Sequence, residues 1–263
     1  MIRENIQRVQ ERIRRSCQRA QRSPSEVTLV LVSKNRSEDL VREAYEAGVR
    51  DFGENRVQEL LAKKTALPDD LRWHFQGRLQ TNKVKSLWGE IVLLHSLDRL
   101  ELAEEIQKQG EKKNLGLDAL VQVNTSGEET KAGFKPEEVE KSVAELKKFS
   151  HIHLKGFMTI GPFLSVGAGF KPAPTNEGNV RTCFRKLRIL CDELRQKFPE
   201  LDLRHLSMGM SSDFEWAVEE GATIVRIGTA VFGERPVRHC EEGQRPDEAI
   251  SKGLLRPPSA GSQ

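Results

Sequence analysis

The apolar positions of the chain follow two spacings that alternate from the N-terminus to residue 227. Residues 27–32 (VTLVLV) are a continuous apolar and β-branched run, which is typical of a strand buried on both faces. Similar short runs recur along the chain and are separated by polar turns. The pattern predicts strands at residues 27–33, 50–53, 71–75, 91–95, 118–123, 152–158, 203–207 and 223–227.

Amphipathic segments lie between these runs. Before the first strand, Ile2, Val9, Ile13 and Cys17 form one apolar stripe, which predicts a helix of about five turns. The same helical spacing predicts further helices at residues 37–47, 55–65, 80–88, 98–110, 135–148, 178–197 and 211–220, with a short turn of helix near 229–232.

Alternating strands and helices imply parallel strands that are joined by right-handed crossovers. Eight strands in 263 residues favour a single closed (β/α)8 barrel, which would occupy residues 1–235 together with the N-terminal helix. An open doubly wound sheet is the structural alternative. Because no G-x-G-x-x-G motif follows the first strand, the dinucleotide-binding form of that sheet is disfavoured.

Two segments lie outside the repeating pattern. Residues 161–178 are rich in Gly and Pro and predict a long loop between strand six and its helix, either a mobile insertion, which we favour, or a lid. Residues 236–263 contain several prolines and little apolar periodicity. This composition predicts a mostly disordered C-terminal tail.

Composition narrows the class of partner. The 42 Lys and Arg residues nearly balance the 39 Asp and Glu residues, which argues against a nucleic-acid or membrane surface. Arginines cluster between residues 12 and 22, where we favour a solvated helix face over a nucleic-acid patch. No apolar run approaches the roughly 20 residues that cross a bilayer, and the first 22 residues lack a signal-peptide layout. These features predict a soluble, cytoplasmic protein and, without a long exposed apolar stripe, a monomer.

Metal and disulfide chemistry is not indicated. The four cysteines form no C-x-x-C pair, so the sequence predicts neither a disulfide framework nor a zinc site. His151 and His153 have i,i+2 spacing but no apparent third ligand, and we expect no metal there. His95 and His205 are expected to be hydrogen-bonded residues at strand ends.

Residues suited to chemistry collect where the predicted strands end, and this rim carries the functional residues of (β/α)8 barrels. Its members are Lys34, Asn55, His74, Asn124, Met158, Thr159, the segment 207–211 (SMGMS) and the segment 226–229 (RIGT). Lys34 could be a surface cap whose ammonium extends outward. Alternatively, it could enter the barrel mouth, where desolvation favours the neutral amine that attacks aldehydes.

The Gly228-Thr229 turn is suited to an anion. Glycine permits close backbone approach, and free N–H groups at a helix start attract negative charge. Ser207 and Ser211, on the preceding loop, could add hydroxyl donors. Alternatively, Ser211 or Ser212 could cap the next helix, a role that is compatible with anion binding. Arg226 alternates with apolar neighbours and could enter the barrel interior, where a structural salt bridge is the alternative explanation.

The chain resembles the pyridoxal phosphate homeostasis protein family, relatives of the N-terminal barrel of alanine racemase. The matching stretches reach almost to Arg235 and are VLVSK at 30–34, FGENRVQE at 52–59, WHFQGRLQTNK at 73–83, VNTSGEETKAG at 124–133 and LSMGMSSDFEWAVEEGATIVRIGTAVFGER at 206–235. The chain departs from the usual pattern at Asn35, Arg56, Gln76 and Arg78, and the segment 161–178 also looks atypical.

The resemblance implies a barrel that binds pyridoxal 5′-phosphate (PLP), with Lys34 as the Schiff-base lysine. It further implies that Arg226 approaches the pyridine nitrogen, and that Ser211, Gly228 and Thr229 bind the phosphate. Asn55, Ser207 and Met208 would lie close to the cofactor. Proteins of this kind are regarded as PLP carriers without an established reaction, and their partners would be apo forms of PLP-dependent enzymes.

The alternative is a racemase-like enzyme that acts on amino acids. Racemisation needs a base on each face of the α-carbon, and Lys34 could serve one face. Alanine racemases, which this barrel resembles, take the other base from a tyrosine in a separate C-terminal domain. The only tyrosine here, Tyr45, lies in the helix after strand one, and no second domain is predicted after Arg235. We therefore favour a carrier.

Overall fold

A computed structural model describes residues 1–162 and 174–234 of the chain. Eight parallel strands pair in chain order, and the last pairs with the first, so the sheet closes into a barrel. The strands are β1 (Thr28–Val32), β2 (Asp51–Glu54), β3 (Arg72–Phe75), β4 (Leu93–Leu97), β5 (Leu117–Gln122), β6 (Ile152–Met158), β7 (His205–Ser207) and β8 (Ile224–Ile227). The predicted (β/α)8 barrel is confirmed.

Helices pack on the outside of the barrel, before, between and after the strands. They are α1 (Ile2–Arg19), α2 (Glu38–Glu46), α3 (Val57–Ala66), α4 (Val84–Leu87), α5 (Leu100–Lys113), α6 (Val139–Leu146), α7 (Pro174–Lys197), α8 (Phe214–Glu219) and α9 (Thr229–Phe232). Short 3-10 helices precede β1, α4 and α6, at Pro24–Glu26, Thr81–Lys83 and Pro136–Glu138. None of the helices in the described part of the chain is long and apolar enough to cross a bilayer.

The main departure from the predicted elements concerns the segment 161–178. Helix α7 begins at Pro174, so the last five residues of the predicted loop are helical. A proline suits a first helical turn, because its fixed φ matches the helix and its missing N–H would be unpaired there anyway. Residues 163–173 of the predicted insertion and the predicted tail, residues 236–263, lie outside the described residues.

Two separate apolar clusters stabilise the barrel. The larger one packs the outer faces of the strands against the helices. The smaller one takes residues from five different strands, and such a set can meet only inside the barrel. It consists of Val30, Leu93, Leu120, Met158 and Ile224. Strand alternation then directs the residues two positions further along these strands into the interior, towards the carboxyl-terminal rim.

Candidate functional site

The turn after β1 and the turn after β8 lie side by side at the rim. The two strands pair in parallel, with Leu31 opposite Ile227. A Cβ atom built on Gly228 would lie 3.3 Å from the carbonyl oxygen of Val32, so the backbones of the two turns approach closely at this point. Lys34, half-buried, follows in the turn after β1. The predicted lysine and the predicted anion-binding turn therefore occupy neighbouring positions.

The residue before Lys34 is anchored by a buried ion pair. The Ser33 hydroxyl donates to Glu54 Oε1 at 2.6 Å. Lys63 Nζ donates to the Ser33 carbonyl oxygen and to Glu54 Oε1, both at 2.7 Å. Burial raises the pKa of Glu54, although the hydrogen bonds from Lys63 and Ser33 oppose this effect. Helix α3 thus holds the end of β1 through Lys63.

The residue after Lys34 is anchored from the same helix. Asn35 has a φ of 57°, a left-handed conformation that asparagine adopts more readily than most residues. Its N–H donates to Glu59 Oε1 at 2.6 Å, and Lys63 Nζ donates to the same oxygen at 2.8 Å. Glu59 and Lys63 thus form a clamp on the residues either side of Lys34, which was not predicted from the sequence. The i,i+4 spacing of Glu59 and Lys63 was the available signal.

The Gly228-Thr229 turn leads into α9, and the Ser211 side chain contacts this turn. Ser211 Oγ accepts from the N–H groups of Gly228 and Ala230 at 3.3 and 3.2 Å. The alternative that Ser211 or Ser212 caps the following helix is wrong, because α8 begins at Phe214 with Asp213 as its N-cap residue. The hydroxyl therefore belongs to the anion-suited turn.

Arg226 lies inside the barrel, opposite Val30 of β1. Its Nη1 donates to Ser207 Oγ at 2.7 Å and its Nη2 donates to the Thr159 carbonyl oxygen at 2.9 Å. No carboxylate of residues 1–162 or 174–234 lies within ion-pair distance of it, so no salt bridge to a described residue accounts for its buried position. Burial lowers the pKa of Arg226 to about 10, with Asp213 opposing the change. The guanidinium stays charged at neutral pH.

Behind Arg226, a chain of hydrogen bonds crosses the barrel interior. His95 Nδ1 lies 2.8 Å from Ser207 Oγ, and His95 Nε2 lies 2.9 Å from His74 Nδ1. His74 Nε2 lies 3.1 Å from Asp51 Oδ1. The five residues come from five strands, and each is buried. His95 was expected to be hydrogen-bonded, whereas the continuous chain was not anticipated.

The two ends of this chain determine its direction. Arg226 can only donate, so Ser207 accepts from it and directs its own proton to His95 Nδ1. The Asp51 carboxylate can only accept, so His74 carries its proton on Nε2, and His95 Nε2 then donates to His74 Nδ1. Burial alone would raise the pKa of Asp51, but hydrogen bonds from His74 and Arg72 outweigh it and lower that pKa. This hydrogen-bond chain therefore orients the Ser207 hydroxyl so that its oxygen accepts from Arg226.

Asn55 and Met208 occupy different environments. Asn55 follows β2 at the rim, and its Oδ1 is buried with no hydrogen-bond partner among the described residues. Met208 is fully buried in the larger core cluster, between the barrel and the helices. The structure therefore brings Asn55 to the rim but not the side chain of Met208, which could reach a rim ligand only through its backbone.

Tyr45, the single tyrosine, lies away from the rim site. It belongs to α2 on the outside of the barrel, where the Arg50 guanidinium lies 4.0 Å from its ring centroid. A hydrogen bond with Asp70 raises the pKa of Tyr45. The described residues thus offer an amine, a buried guanidinium and an anion-suited turn at one rim, but no tyrosine base beside them.

Comparison with known proteins places the chain in a family. Residues 2–236 match the family model described as alanine racemase, N-terminal domain. The pyridoxal phosphate homeostasis protein of Aquifex aeolicus is 50% identical over 233 residues, which are 88% of this chain and 97% of that protein. The protein of the same name from Escherichia coli K12 is 35% identical over 240 residues, 89% of this chain and 97% of its own.

Solved structures agree with this assignment. PipY of Synechococcus elongatus, in a structure described as having PLP bound, has a TM-score of 0.72 and 35% identity, covering 89% of this chain and 100% of PipY. An alanine racemase of Clostridium difficile has a TM-score of 0.66 at 16% identity, covering 90% of this chain and 57% of the racemase, a likeness of fold alone. This chain belongs to the pyridoxal phosphate homeostasis proteins of the alanine racemase N-terminal domain family.

Proposed function

We propose that this protein binds PLP as a Schiff base on Lys34 and serves PLP homeostasis by supplying the cofactor to apo-enzymes. The observation that carries the proposal is the adjacency of the Lys34 turn and the Gly228-Thr229 turn, with the buried Arg226 beneath them. A bound PLP molecule supplies an aldehyde that reacts reversibly with amines. The names of the curated relatives and of PLP-bound PipY support the same cofactor.

The residues present fit PLP in three respects. Lys34 supplies the amine, and its neighbours in the turn are fixed by the clamp from α3. Arg226 offers permanent donors to a ring nitrogen in a buried setting where no carboxylate competes among the described residues. Ser211 and Thr229 offer a hydroxyl and a turn amide to a phosphate, and Gly228, whose N–H donates to Ser211 Oγ, permits a close backbone approach.

The other predicted residues have supporting roles in this proposal. Asn55 would contact the cofactor through its buried Oδ1, which has no hydrogen-bond partner among the described residues. Ser207 would act indirectly, because its Oγ accepts a hydrogen bond from Arg226 and so orients the guanidinium. Met208 would contribute backbone only, because its side chain is buried in the outer core.

A carrier is favoured over a racemase-like enzyme. Tyr45 is the only tyrosine and lies on α2, outside the barrel, so it does not supply a second base opposite Lys34. A guanidinium against the ring nitrogen keeps that nitrogen unprotonated, which weakens the ring as an electron sink. The curated relatives are named as homeostasis proteins. We further propose a monomer that works in the cytoplasm.

The cofactor linkage is tested by absorbance and mapping. The protein loaded with PLP should show the visible band of a Schiff base, and borohydride should fix the adduct on the peptide that contains Lys34. Lys34→Ala should lose both the band and the adduct, whereas Lys85→Ala, at an exposed position of α4, should keep them. A band retained by Lys34→Ala would refute the assignment.

The carrier role is tested separately. Loaded protein should restore activity to an apo PLP-dependent enzyme, and Lys34→Ala should do so no faster than free PLP. Steady racemisation of alanine by the purified protein, at an ordinary enzymatic rate, would overturn the carrier proposal and support the racemase-like alternative.

A further inference from the structure

A cleft lies where the loops after β2, β3 and β4 meet, next to the rim site, and Asn55 borders both. It encloses about 490 Å³, within the size range of small-ligand sites. Four of its ten lining residues are cationic, and none of those ten is acidic. The cations are Arg56, Arg78, Lys83 and Arg99. A concave surface with this charge concentrates anions from solution.

Among the residues that the structure describes, only one carboxylate pairs with these cations. Asp98, whose side chain is 2% exposed, pairs with Arg78 at 3.3 Å and with Arg99. Arg99 also donates to the Leu79 carbonyl oxygen at 2.9 Å, so its guanidinium is fixed. The side chains of Arg56 and Lys83 make no hydrogen bond or ion pair with the residues that the structure describes. Two cations of the cleft therefore remain uncompensated.

The helices that begin at the cleft add to its positive potential. Arg56 is the N-cap residue of α3 and Arg99 is the N-cap residue of α5, and neither side chain caps its helix. A cation at this end opposes the helix dipole, and the usual N-cap residues are Ser, Thr, Asp and Asn. Val57 and Gln58, in the first turn of α3, also line the cleft. An anion bound here would offset an arrangement that otherwise costs stability.

We propose that this cleft binds a small molecule through a phosphate or pyrophosphate group. Arg56 and Lys83 would bind the anion with charges that no described residue neutralises, and the fixed Arg99 would be a third cationic ligand. A small ligand fits better than an acidic protein segment, because Lys83 and Arg99 are half-buried and the buried Phe75 and Leu79 form the floor. The proposal does not rest on the chemistry of Lys34.

Isothermal titration with inorganic pyrophosphate at low ionic strength tests the site. The wild type should bind, and added NaCl should weaken binding through screening. Arg56→Gln and Lys83→Gln should each weaken it about tenfold or more, the value of one charge-assisted hydrogen bond. Lys85→Gln makes the same charge change two positions from Lys83, outside the lining, and should match the wild type.

The turn beside Lys34 could also attract pyrophosphate, and Ser211→Ala separates the two sites. Binding at the cleft persists in Ser211→Ala. Binding that is lost in Ser211→Ala but kept in Arg56→Gln and Lys83→Gln would overturn the proposal, as would equal losses in Lys83→Gln and Lys85→Gln. Absence of pyrophosphate binding in the wild type would also overturn it, including a result in which only a hexaglutamate peptide binds.

Discussion

At the scale of single residues, His95 connects the barrel interior to the dependence of stability on pH. Burial holds the pKa of His95 well below its usual 6.5, and the neighbouring His74, Arg226 and His205 add to this effect. Below pH 6.5 the unfolded chain therefore binds a proton at His95 that the native protein does not. Because the unfolded state binds more protons there, the free energy of unfolding should fall as the pH decreases below 6.5.

Replacing His95 with glutamine should remove this contribution. Between pH 6.5 and pH 5, the slope of unfolding free energy against pH should decrease by up to about 1.4 kcal/mol per unit, the linkage value for one proton. His205, whose pKa burial also lowers, retains part of the slope. Urea denaturation at several pH values measures it, with His153→Gln as the control at an exposed position. Parallel curves for His95→Gln and the wild type would contradict the assignment.

Arg226 governs the proposed ring contact through its inability to accept a proton. Arg226→Glu would offer the ring nitrogen a carboxylate in place of a donor and should favour a protonated ring. The visible band of the PLP-loaded protein should therefore shift. Arg226→Lys preserves the positive charge in case the glutamate variant does not fold, and should leave the band nearer that of the wild type. An unchanged band in a folded Arg226→Glu protein would remove this arginine from the cofactor.

At the scale of elements, helix α3 positions the turn that carries Lys34. Removing Lys63 would leave Glu54 buried and without its cation, which typically costs about 3–5 kcal/mol. We expect Lys63→Met to lose stability of this size and to load PLP more weakly, because Ser33 loses an anchor. The stability loss should shrink at low pH, where Glu54 becomes protonated. The double variant Glu54→Gln/Lys63→Met should recover part of the loss.

Urea denaturation and absorbance titration with PLP measure these two effects. If Lys63→Met lost stability while its affinity for PLP matched that of the wild type, the clamp would stabilise the fold without positioning Lys34. Lys64→Met, whose Nζ pairs with Glu90 near the surface, is the matched control on the same helix.

The elements also indicate which features a sequence can reveal. Buried strands were predictable, because a short apolar run has one favourable place in a parallel barrel, and β6 (Ile152–Met158) has the predicted bounds. Helix ends were harder to predict from the sequence. Helix α8 is shorter than the predicted 211–220, because the Ser211 side chain accepts a hydrogen bond from the start of α9 instead. The hydrogen-bond chain from Arg226 to Asp51 depends on the register of five strands, which no local pattern encodes.

At the scale of the whole molecule, α1 links the first and last parts of the described barrel. Asn5 Nδ2 donates to the Val231 carbonyl oxygen in α9 at 2.8 Å. Arg12 pairs with Glu215 at 2.7 Å and Arg19 pairs with Glu219 at 2.6 Å, both in α8. Part of the basic cluster that the sequence places near the N-terminus is thus neutralised within the molecule. The ion pairs orient α1, and its buried apolar stripe supplies most of the stabilisation.

This arrangement predicts that a destabilising substitution in α1 lowers the stability of the whole barrel. Ile6 is 2% exposed, and truncating such a side chain typically costs 2–5 kcal/mol, or about 5–15 °C in Tm for a domain of this size. Ile6→Ala should therefore lower Tm by that amount in one cooperative transition, the same by near- and far-ultraviolet circular dichroism. Val92→Ala, at a 45% exposed position, should change Tm little. Two separate transitions in Ile6→Ala would mean that β8 and α9 detach before the rest, and that α1 closes the barrel rather than stabilising all of it.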